Sequence, residues 1–363
     1  MKTVLVTPLD WGLGHATRCM PIIRELLKRR CTVVIAGSGS SLDLLRKEFP
    51  FLKTYELIPY NPVYPLKRSG MVWKMASQLP KFFMTIKKEH EQTEEIVQEA
   101  NIDLIISDNR YGCWSTKAPS VFVTHQSSIL MPKRFGLLAP VVRRFNRRYM
   151  SCFDQCWVPD FSGGNNLTGH LNHYARKRLN QFKFIGPLSR FEASKRKRDR
   201  IYDVAVILSG PEPQRTMLEK IVRVQLEATD LQYCIVRGIV NPSSRSIAPN
   251  IFDYLTSSRL QEVIESSAVI IARSGYSTVM DMAALRKKVI FVPTPGQTEQ
   301  EYLAKTLSEK GIAHFVPQKS FDLQHALNES RNFSGFRHFN FGSHLLSDAL
   351  DTLLGIKRVV KIS

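Results

Sequence analysis

Short β-branched runs alternate with helical patterns twice along this chain, and that alternation leaves few folds open. In the first half Val4–Thr7 precedes a helical stretch from Ala16 to Arg30, Thr32–Ala36 precedes Ser41–Glu48, and Leu52–Ile58 precedes a long helical region ending at Ala100. Further strands are expected at Asp103–Ser107 and Ser120–Thr124, a helix at Leu137–Met150, and strands at Gln155–Val158 and Phe182–Ile185. Strands separated by helices pair in parallel, because the crossover helix returns the chain to the same end of the sheet. The reading is therefore an α/β fold with helices on both faces of each sheet. A second series opens at Asp203, with strands at Val204–Leu208, Gln232–Val236, Val269–Ala272 and Val289–Val292. Its helices are expected at Pro213–Glu227, Arg259–Ser266, Thr278–Leu285, Glu299–Glu309 and Leu345–Leu354.

Between the two series, Gly186-Pro187-Leu188 and the charged run Lys195-Arg196-Lys197-Arg198-Asp199-Arg200 read as a solvated linker. The expected organisation is a Rossmann-like domain over 1–188, a basic linker over 189–202 and a second Rossmann-like domain over 203–363, the last helix being a candidate to pack back on the first domain. Each doubly wound sheet offers its ligand site at the carboxyl ends of its strands, so two such domains are expected to face a cleft. At 363 residues the chain is long enough for two cores.

Charge narrows the partners. The formal net charge of +19 implies attraction to phosphates, nucleic acid or an anionic membrane face. Nucleic acid is the weaker reading, since no zinc-finger, RRM or KH signature is present and the basic residues are not interleaved with stacking aromatics. No apolar run approaches the roughly 20 residues of a membrane-spanning helix. Met1-Lys2 leads straight into a strand, which reads as a chain that begins inside its fold. The six cysteines are scattered without metal-ligand spacing, so a reduced, cytoplasmic protein without a structural metal is expected.

Two turns carry the chemistry. After the strand Val269–Ala272 comes Arg273-Ser274-Gly275-Tyr276-Ser277-Thr278 at a helix start, with Asp281 in that helix. Pro293-Thr294-Pro295-Gly296 and Gln297, Glu299, Gln300 and Glu301 follow the next strand. Strand, small-residue turn and helix start gather free N–H groups and the positive end of a helix dipole, which suits a diphosphate. After the first strand, Pro8-Leu9-Asp10-Trp11-Gly12-Leu13-Gly14-His15-Ala16-Thr17-Arg18 supplies two glycines for close backbone approach, and His15 at the opening of a helix. A turn histidine bonded to backbone, a plain helix cap at Ser274–Thr278 and a solvated carboxylate at Asp281 are the bland alternatives.

Together, Gly12-x-Gly14-His15, Arg273-Ser274-Gly275-x-x-Thr278-Val279-x-Asp281 and Phe291-Val292-Pro293 with Gln300 resemble the GT-B glycosyltransferases. The resemblance is greatest to the lipid-linked peptidoglycan N-acetylglucosaminyltransferases of glycosyltransferase family 28, the MurG type. It implies a metal-independent hexosyltransferase that moves a hexose or N-acetylhexosamine from a UDP-sugar, UDP-N-acetylglucosamine foremost, to a sugar, polyol or lipid-linked hydroxyl acceptor. It needs no cofactor. By that resemblance Gly14, Ser274 and Gly275 lie at the donor, with Ser277 and Thr278 opening the diphosphate helix. Asp281 holds the ribose hydroxyls and Gln300 contacts the nucleoside. Arg273, Arg215 and Arg18 are candidates to meet the leaving group's charge.

His15 and Asp108 resemble the His-Asp dyad of small-molecule GT-B enzymes, with His15 as base and Asp108 orienting it. The chain departs from the family at Ser209-Gly210-Pro211-Glu212-Pro213-Gln214-Arg215, where prolines remove N–H donors, and at Thr124-His125-Gln126-Ser127 on the acceptor side. Arg143, Arg144, Arg147 and Arg148 alternate with apolar residues as on a helix lying against anionic lipid at the inner face of the membrane, and Leu66–Lys88 is a second such stretch. An amphipathic helix packed on its own sheet is the bland counterpart. Two other functions stay open: a UDP-N-acetylglucosamine 2-epimerase of the same fold, and a non-catalytic nucleotide-sugar-binding peripheral subunit.

Overall fold

The computed structural model describes residues 1–60, 71–125, 139–163, 166–169, 171, 182–192, 198–241, 248–337, 339 and 344–356. Seven parallel strands form the first sheet in the order β3-β2-β1-β4-β5-β6-β7. They are β1 (Thr3–Pro8), β2 (Thr32–Gly37), β3 (Lys53–Glu56), β4 (Leu104–Asp108), β5 (Ser120–Val123), β6 (Gln155–Val158) and β7 (Phe182–Phe184). Helices α1 (Leu13–Lys28), α2 (Gly39–Glu48), α3 (Met71–Glu99) and α4 (Ala139–Met150) lie between them. Val4, Leu5 and Val6 of β1 and Leu104, Ile105 and Ile106 of β4 are buried at every position, as a strand covered on both faces requires. The order reverses at the β1–β4 pair, where Pro8 is in register with Asp108, so the turns after these strands open at the switch point.

The second sheet has six parallel strands in the order β10-β9-β8-β11-β12-β13. Here β8 is Tyr202–Ile207, β9 Tyr233–Val236, β10 Ile251–Phe252, β11 Ser267–Ala272, β12 Val289–Phe291 and β13 His314–Phe315. Its helices are α5 (Gln214–Glu227), α6 (Ser257–Glu265), α7 (Tyr276–Ala284), α8 (Thr298–Glu309) and α9 (Leu323–Glu329). Ala272 lies between Ile207 and Phe291 in register, which brings the turns after β8, β11 and β12 together at one edge. The two-residue edge strands β10 and β13 and the short helix α9 are not among the sequence expectations.

The chain divides into two compact units. One gathers Met1–Trp11, Arg18–Leu188 and the helix α10 (Leu345–Leu354); the other gathers Gly12–Thr17 with Ser189–Asn340. Arg29 holds α10 in the first unit through Asp351 Oδ1 at 2.7 Å and Ser347 Oγ at 2.5 Å, while Glu25 on its own helix accepts from the third nitrogen at 2.5 Å. The charged run expected to be a solvated linker is in part tied down. Arg198 bridges Glu262 and Glu265 at 3.4 and 3.0 Å, and Arg200 pairs with Asp203. Lys195–Lys197 lie outside the described residues, as do Leu66–Gly70 of the second basic-apolar stretch.

A buried arginine organises the first sheet's carboxyl edge. Arg110, fully buried just beyond β4, donates to Pro8 O at 2.8 Å, Ser38 Oγ at 2.5 Å and Glu89 Oε1 at 2.6 Å. Glu89 also accepts from Tyr60 Oη at 2.6 Å and the Gly112 N–H at 2.7 Å. Burial pushes the Glu89 carboxyl above its ordinary range, and Arg110 opposes that. Removing one partner of such a pair leaves an uncompensated charge in low dielectric. Arg110→Met is expected to cost about 3–5 kcal/mol in urea unfolding at neutral pH. In that variant Glu89, with its folded value above its unfolded one, folds best protonated, so the loss is full above the folded value and shrinks as pH falls toward the unfolded one. A loss below about 0.5 kcal/mol would remove Arg110 from this role.

Candidate functional site

Helix α7 starts at Tyr276 directly after β11, and its N-cap Gly275 (φ −67°, ψ 151°) brings no side chain to cap it. The first amides of any α-helix lack intrahelical acceptors, so Tyr276, Ser277 and Thr278 present N–H groups at the positive end of the dipole. Gly275, Ser277 and Thr278 are half-buried, whereas Arg273, Ser274 and Tyr276 are buried. One acceptor does reach this entrance: Glu299 Oε1, from the first turn of α8, accepts from the Tyr276 N–H at 3.3 Å. A carboxylate at a helix start obeys the same electrostatics as a phosphate there.

Several residues expected to touch the donor instead build the scaffold behind this entrance. The Arg273 guanidinium donates to Val292 O at 3.0 Å, Pro293 O at 3.1 Å and Gln214 O at 2.7 Å, and burial lowers its pKa to about 10. It ties the turns after β8, β11 and β12 together. Ser274 Oγ donates to Gln300 O at 2.8 Å. The Gln300 amide is spent on the β12 turn, its Oε1 accepting from the Thr294 N–H at 2.8 Å and its Nε2 donating to Gln297 Oε1 at 2.5 Å.

Asp281, expected to be open to a ribose, is buried and accepts from Ser189 Oγ at 2.7 Å and Arg190 Nε at 3.0 Å. Desolvation raises its pKa and Arg190 opposes the rise. The helix turns this carboxylate inward, so it is not the solvated carboxylate of the bland alternative, and it anchors the segment at Ser189–Arg190. Arg215 donates to Arg237 O at 3.0 Å and pairs with Glu212, which uses the charge expected to meet a phosphate.

What this edge leaves unspent is specific. Arg273 Nε, Thr294 Oγ1 and Gln318 Oε1 are buried without a partner among the described residues. Gly210, at φ +101°, runs past the Thr294 hydroxyl, to which an added Cβ would come within 3.7 Å. Buried donors and acceptors are otherwise almost always satisfied, so three orphans at the carboxyl ends of neighbouring strands point to a polar group from outside the chain.

The β1–α1 turn joins this unit through Gly14. Ser277 Oγ donates to Gly14 O at 2.8 Å, and a Cβ on Gly14 would press on that oxygen at 3.1 Å, so glycine is what permits the approach. His15 follows, half-buried at the start of α1. Asp108, expected as its orienting carboxylate, holds Arg18 through both oxygens at 3.2 and 2.9 Å, both side chains buried. Sequence reasoning missed Arg18 as the partner of Asp108, and it named Glu299 and Thr294 in the turn without giving either a role. The only advance signal for Glu299 was its place beside Gln300.

A cavity of about 590 Å³ lies elsewhere, along α6 between Arg198, Tyr202, Phe252 and Arg259, and none of the expected site residues lines it. Among the described residues no three His, Cys, Asp or Glu side chains gather as a metal site, and no helix is long and apolar enough to cross a membrane. On α4, Arg143, Arg144, Arg147 and Arg148 are exposed. The Phe145 and Tyr149 rings between them pack inward, with Phe145 on Phe82 at 5.9 Å and Tyr149 on Tyr111 at 5.8 Å.

Residues 227–336, which contain this entrance, match the glycosyltransferase family 28 C-terminal domain. An uncharacterized glycosyltransferase of Methanosarcina acetivorans is 25% identical over 319 residues, covering 83% of this chain and 80% of the relative. A Haemophilus influenzae UDP-N-acetylglucosamine–N-acetylmuramyl-(pentapeptide) pyrophosphoryl-undecaprenol N-acetylglucosamine transferase is 22% identical, covering 92% of this chain and 90% of its own. The crystal structure of the glycotransferase of kitacinnamycin superposes with a TM-score of 0.63 at 16% identity, covering 97% of this chain and 99% of that one. The fold is thus that of the GT-B glycosyltransferases, two Rossmann-like domains each on a parallel sheet. Residues 227–336 thus match the family 28 C-terminal domain, and the chain is similar over most of its length to glycosyltransferases of that type.

If the α7 entrance takes an anion, the Glu299 carboxylate competes with it. Glu299→Gln is expected to tighten UDP binding two- to fivefold, the worth of about 0.3–1 kcal/mol for one charge at a helix start. Calorimetric titration of both proteins measures this. Weaker binding in the variant would make Glu299 a ligand contact instead.

Proposed function

We propose that the enzyme transfers a hexose or N-acetylhexosamine from a UDP-sugar to a hydroxyl acceptor, with inversion at the anomeric carbon. The observation that carries the donor side is the start of α7, where Gly275 supplies no side-chain cap and Glu299 alone is seen to accept from the Tyr276 N–H, within the stretch that matches the family 28 domain, beside the orphaned Thr294 hydroxyl and Arg273 Nε. The Ser277 and Thr278 amides grip the diphosphate, and the leaving UDP is stabilised by fixed dipoles that need no reorganisation in the transition state. A divalent ion is not required in this scheme, so chelation with EDTA leaves turnover unchanged. Uridine and N-acetylglucosamine are favoured because the Haemophilus influenzae relative is named for that donor.

His15 is the base. It follows Gly14, whose carbonyl is tied to Ser277 of the donor helix, and it takes the proton of the acceptor hydroxyl as that oxygen attacks the anomeric carbon. Attack is direct, since no carboxylate in this scheme serves as a nucleophile for a double displacement. Asp108 serves the site as the buried counter-ion of Arg18, one helical turn beyond His15 on α1, and its part in orienting His15 runs through that shared helix. Through the four exposed arginines of α4 the enzyme rests on an anionic, cytoplasmic membrane face. The contact is electrostatic, because Phe145 and Tyr149 are turned inward.

Two measurements test this. His15→Ala is expected to lower transfer about 10²- to 10⁴-fold while UDP affinity stays as it was. Unchanged turnover removes His15 from the chemistry, and epimerised UDP-sugar formed without acceptor replaces transfer by epimerisation. For the membrane, sedimentation with anionic vesicles is expected to weaken with salt and to vanish when the four arginines are changed to glutamine. Binding that survives both places the lipid contact elsewhere.

A further inference from the structure

At the carboxyl edge of the first sheet one carboxylate is half used. Asp10 lies two residues beyond Pro8, and its Oδ2 accepts from Ser38 Oγ at 3.0 Å and the Tyr60 N–H at 3.2 Å. Its Oδ1 is buried and meets no donor among the described residues. A carboxylate oxygen held out of water without a hydrogen bond is costly, so the arrangement makes sense when a donor comes from outside the chain. Arg110 is linked to Asp10 by hydrogen bonds through Ser38 and by charge at longer range, and its own ion pair is with Glu89.

The next residue is Trp11, 38% exposed. Tyr60 braces its ring edge-on at 6.3 Å and 89°, and Phe82 leans on it at 6.1 Å, so the indole is held in one orientation while part of it faces solvent. A fixed, partly bare indole beside a carboxylate with a free acceptor suits a saturated ring bearing hydroxyls. The C–H face lies on the indole and a hydroxyl donates to Oδ1. Pro8 is the register partner of Asp108, so the pair stands at the same strand ends as the Arg18–Asp108 ion pair.

We propose that Asp10 and Trp11 are the acceptor subsite, and that they read an uncharged, hydroxyl-bearing sugar or polyol ring rather than a diphosphate. The word acceptor rests on the glycosyl-transfer reading above; the ring-binding chemistry does not. A diphosphate beside Asp10 would meet a like charge, and the two buried arginines of this edge are committed, Arg110 to Glu89 and Arg18 to Asp108.

With the donor site filled by saturating UDP, the test titrates n-octyl β-D-glucopyranoside below its micelle concentration, and separately farnesyl diphosphate, into the full chain while tryptophan emission is followed. Asp10→Asn and Trp11→Ala are compared with the native protein, and UDP affinity is measured on each preparation. The glycoside is expected to bind the native chain and to lose about tenfold in affinity in Asp10→Asn, the worth of one charge-assisted hydrogen bond. Farnesyl diphosphate is expected to bind the native chain more weakly than the glycoside does, and to gain when the Asp10 charge is removed. Should Asp10→Asn fail to fold, Trp11→Ala carries the test, since its half-exposed ring stands outside the hydrogen-bond network: glycoside affinity falls and diphosphate affinity does not. Absent or unaltered glycoside binding, or a native preference for farnesyl diphosphate, overturns the proposal. Loss of UDP binding by the native chain would instead contradict the donor reading and leave the ring result standing.

Discussion

The donor edge depends on one guanidinium. Arg273 follows β11 with its side chain directed into the protein, where it gathers carbonyls from the turn after β12 and from the start of α5. Turns carry backbone groups that neighbouring strands cannot satisfy, and at the carboxyl edge of a parallel sheet three of them converge. A single fork of N–H groups answers several of those carbonyls at once, which an ammonium could not do in the same plane. Gly275, Ser277 and Thr278 begin only two residues later, so the position of the amides at the start of α7 follows from how Arg273 is held.

The first unit repeats the device. Arg110 stands two residues beyond the end of β4 and joins Pro8, Ser38 and Glu89, which lie on or beside β1, β2 and α3. In both sheets a buried arginine fixes the turns at the carboxyl edge, and its sequence neighbours stand at that same edge: Asp108, paired with Arg18, in one case, and Gly275 to Thr278 in the other. Burying a charge in this way is costly, and the two sites meet the cost differently. Arg110 has a full counter-ion in Glu89, whereas Arg273 relies on carbonyl dipoles, with its pKa lowered by burial. Substitution at either arginine therefore acts first on the shape of the edge and only through it on ligands.

Alternation of β-branched runs with helical patterns was enough to read two parallel α/β units, because strands such as Val4–Val6 and Ile270–Ala272 are buried on both faces and tolerate only apolar residues. Ile251–Phe252 and His314–Phe315 escaped that reading, since two residues carry no period. The motif at Arg273–Thr278 placed a turn and a helix start where the structure has them, but residue type does not say which way a side chain faces. Nothing near Asp281 in sequence announces that Ser189 and Arg190, some ninety positions away, hold its carboxylate. The same holds for Arg29 and Asp351, separated by 322 positions, whose pairing draws the last helix to the first unit. Local pattern gave the scaffold; long-range pairing decided the roles.

The account stands or falls on whether the start of α7 binds a diphosphate. Amide chemical shifts of the isotopically labelled chain, followed while UDP is titrated in, test this directly. The Gly275, Ser277 and Thr278 amides are expected to move together and saturate at one dissociation constant, with Tyr276 shifting as its N–H exchanges the Glu299 carboxylate for phosphate. Saturable shifts confined to the cavity along α6, with these four amides unmoved, would contradict it.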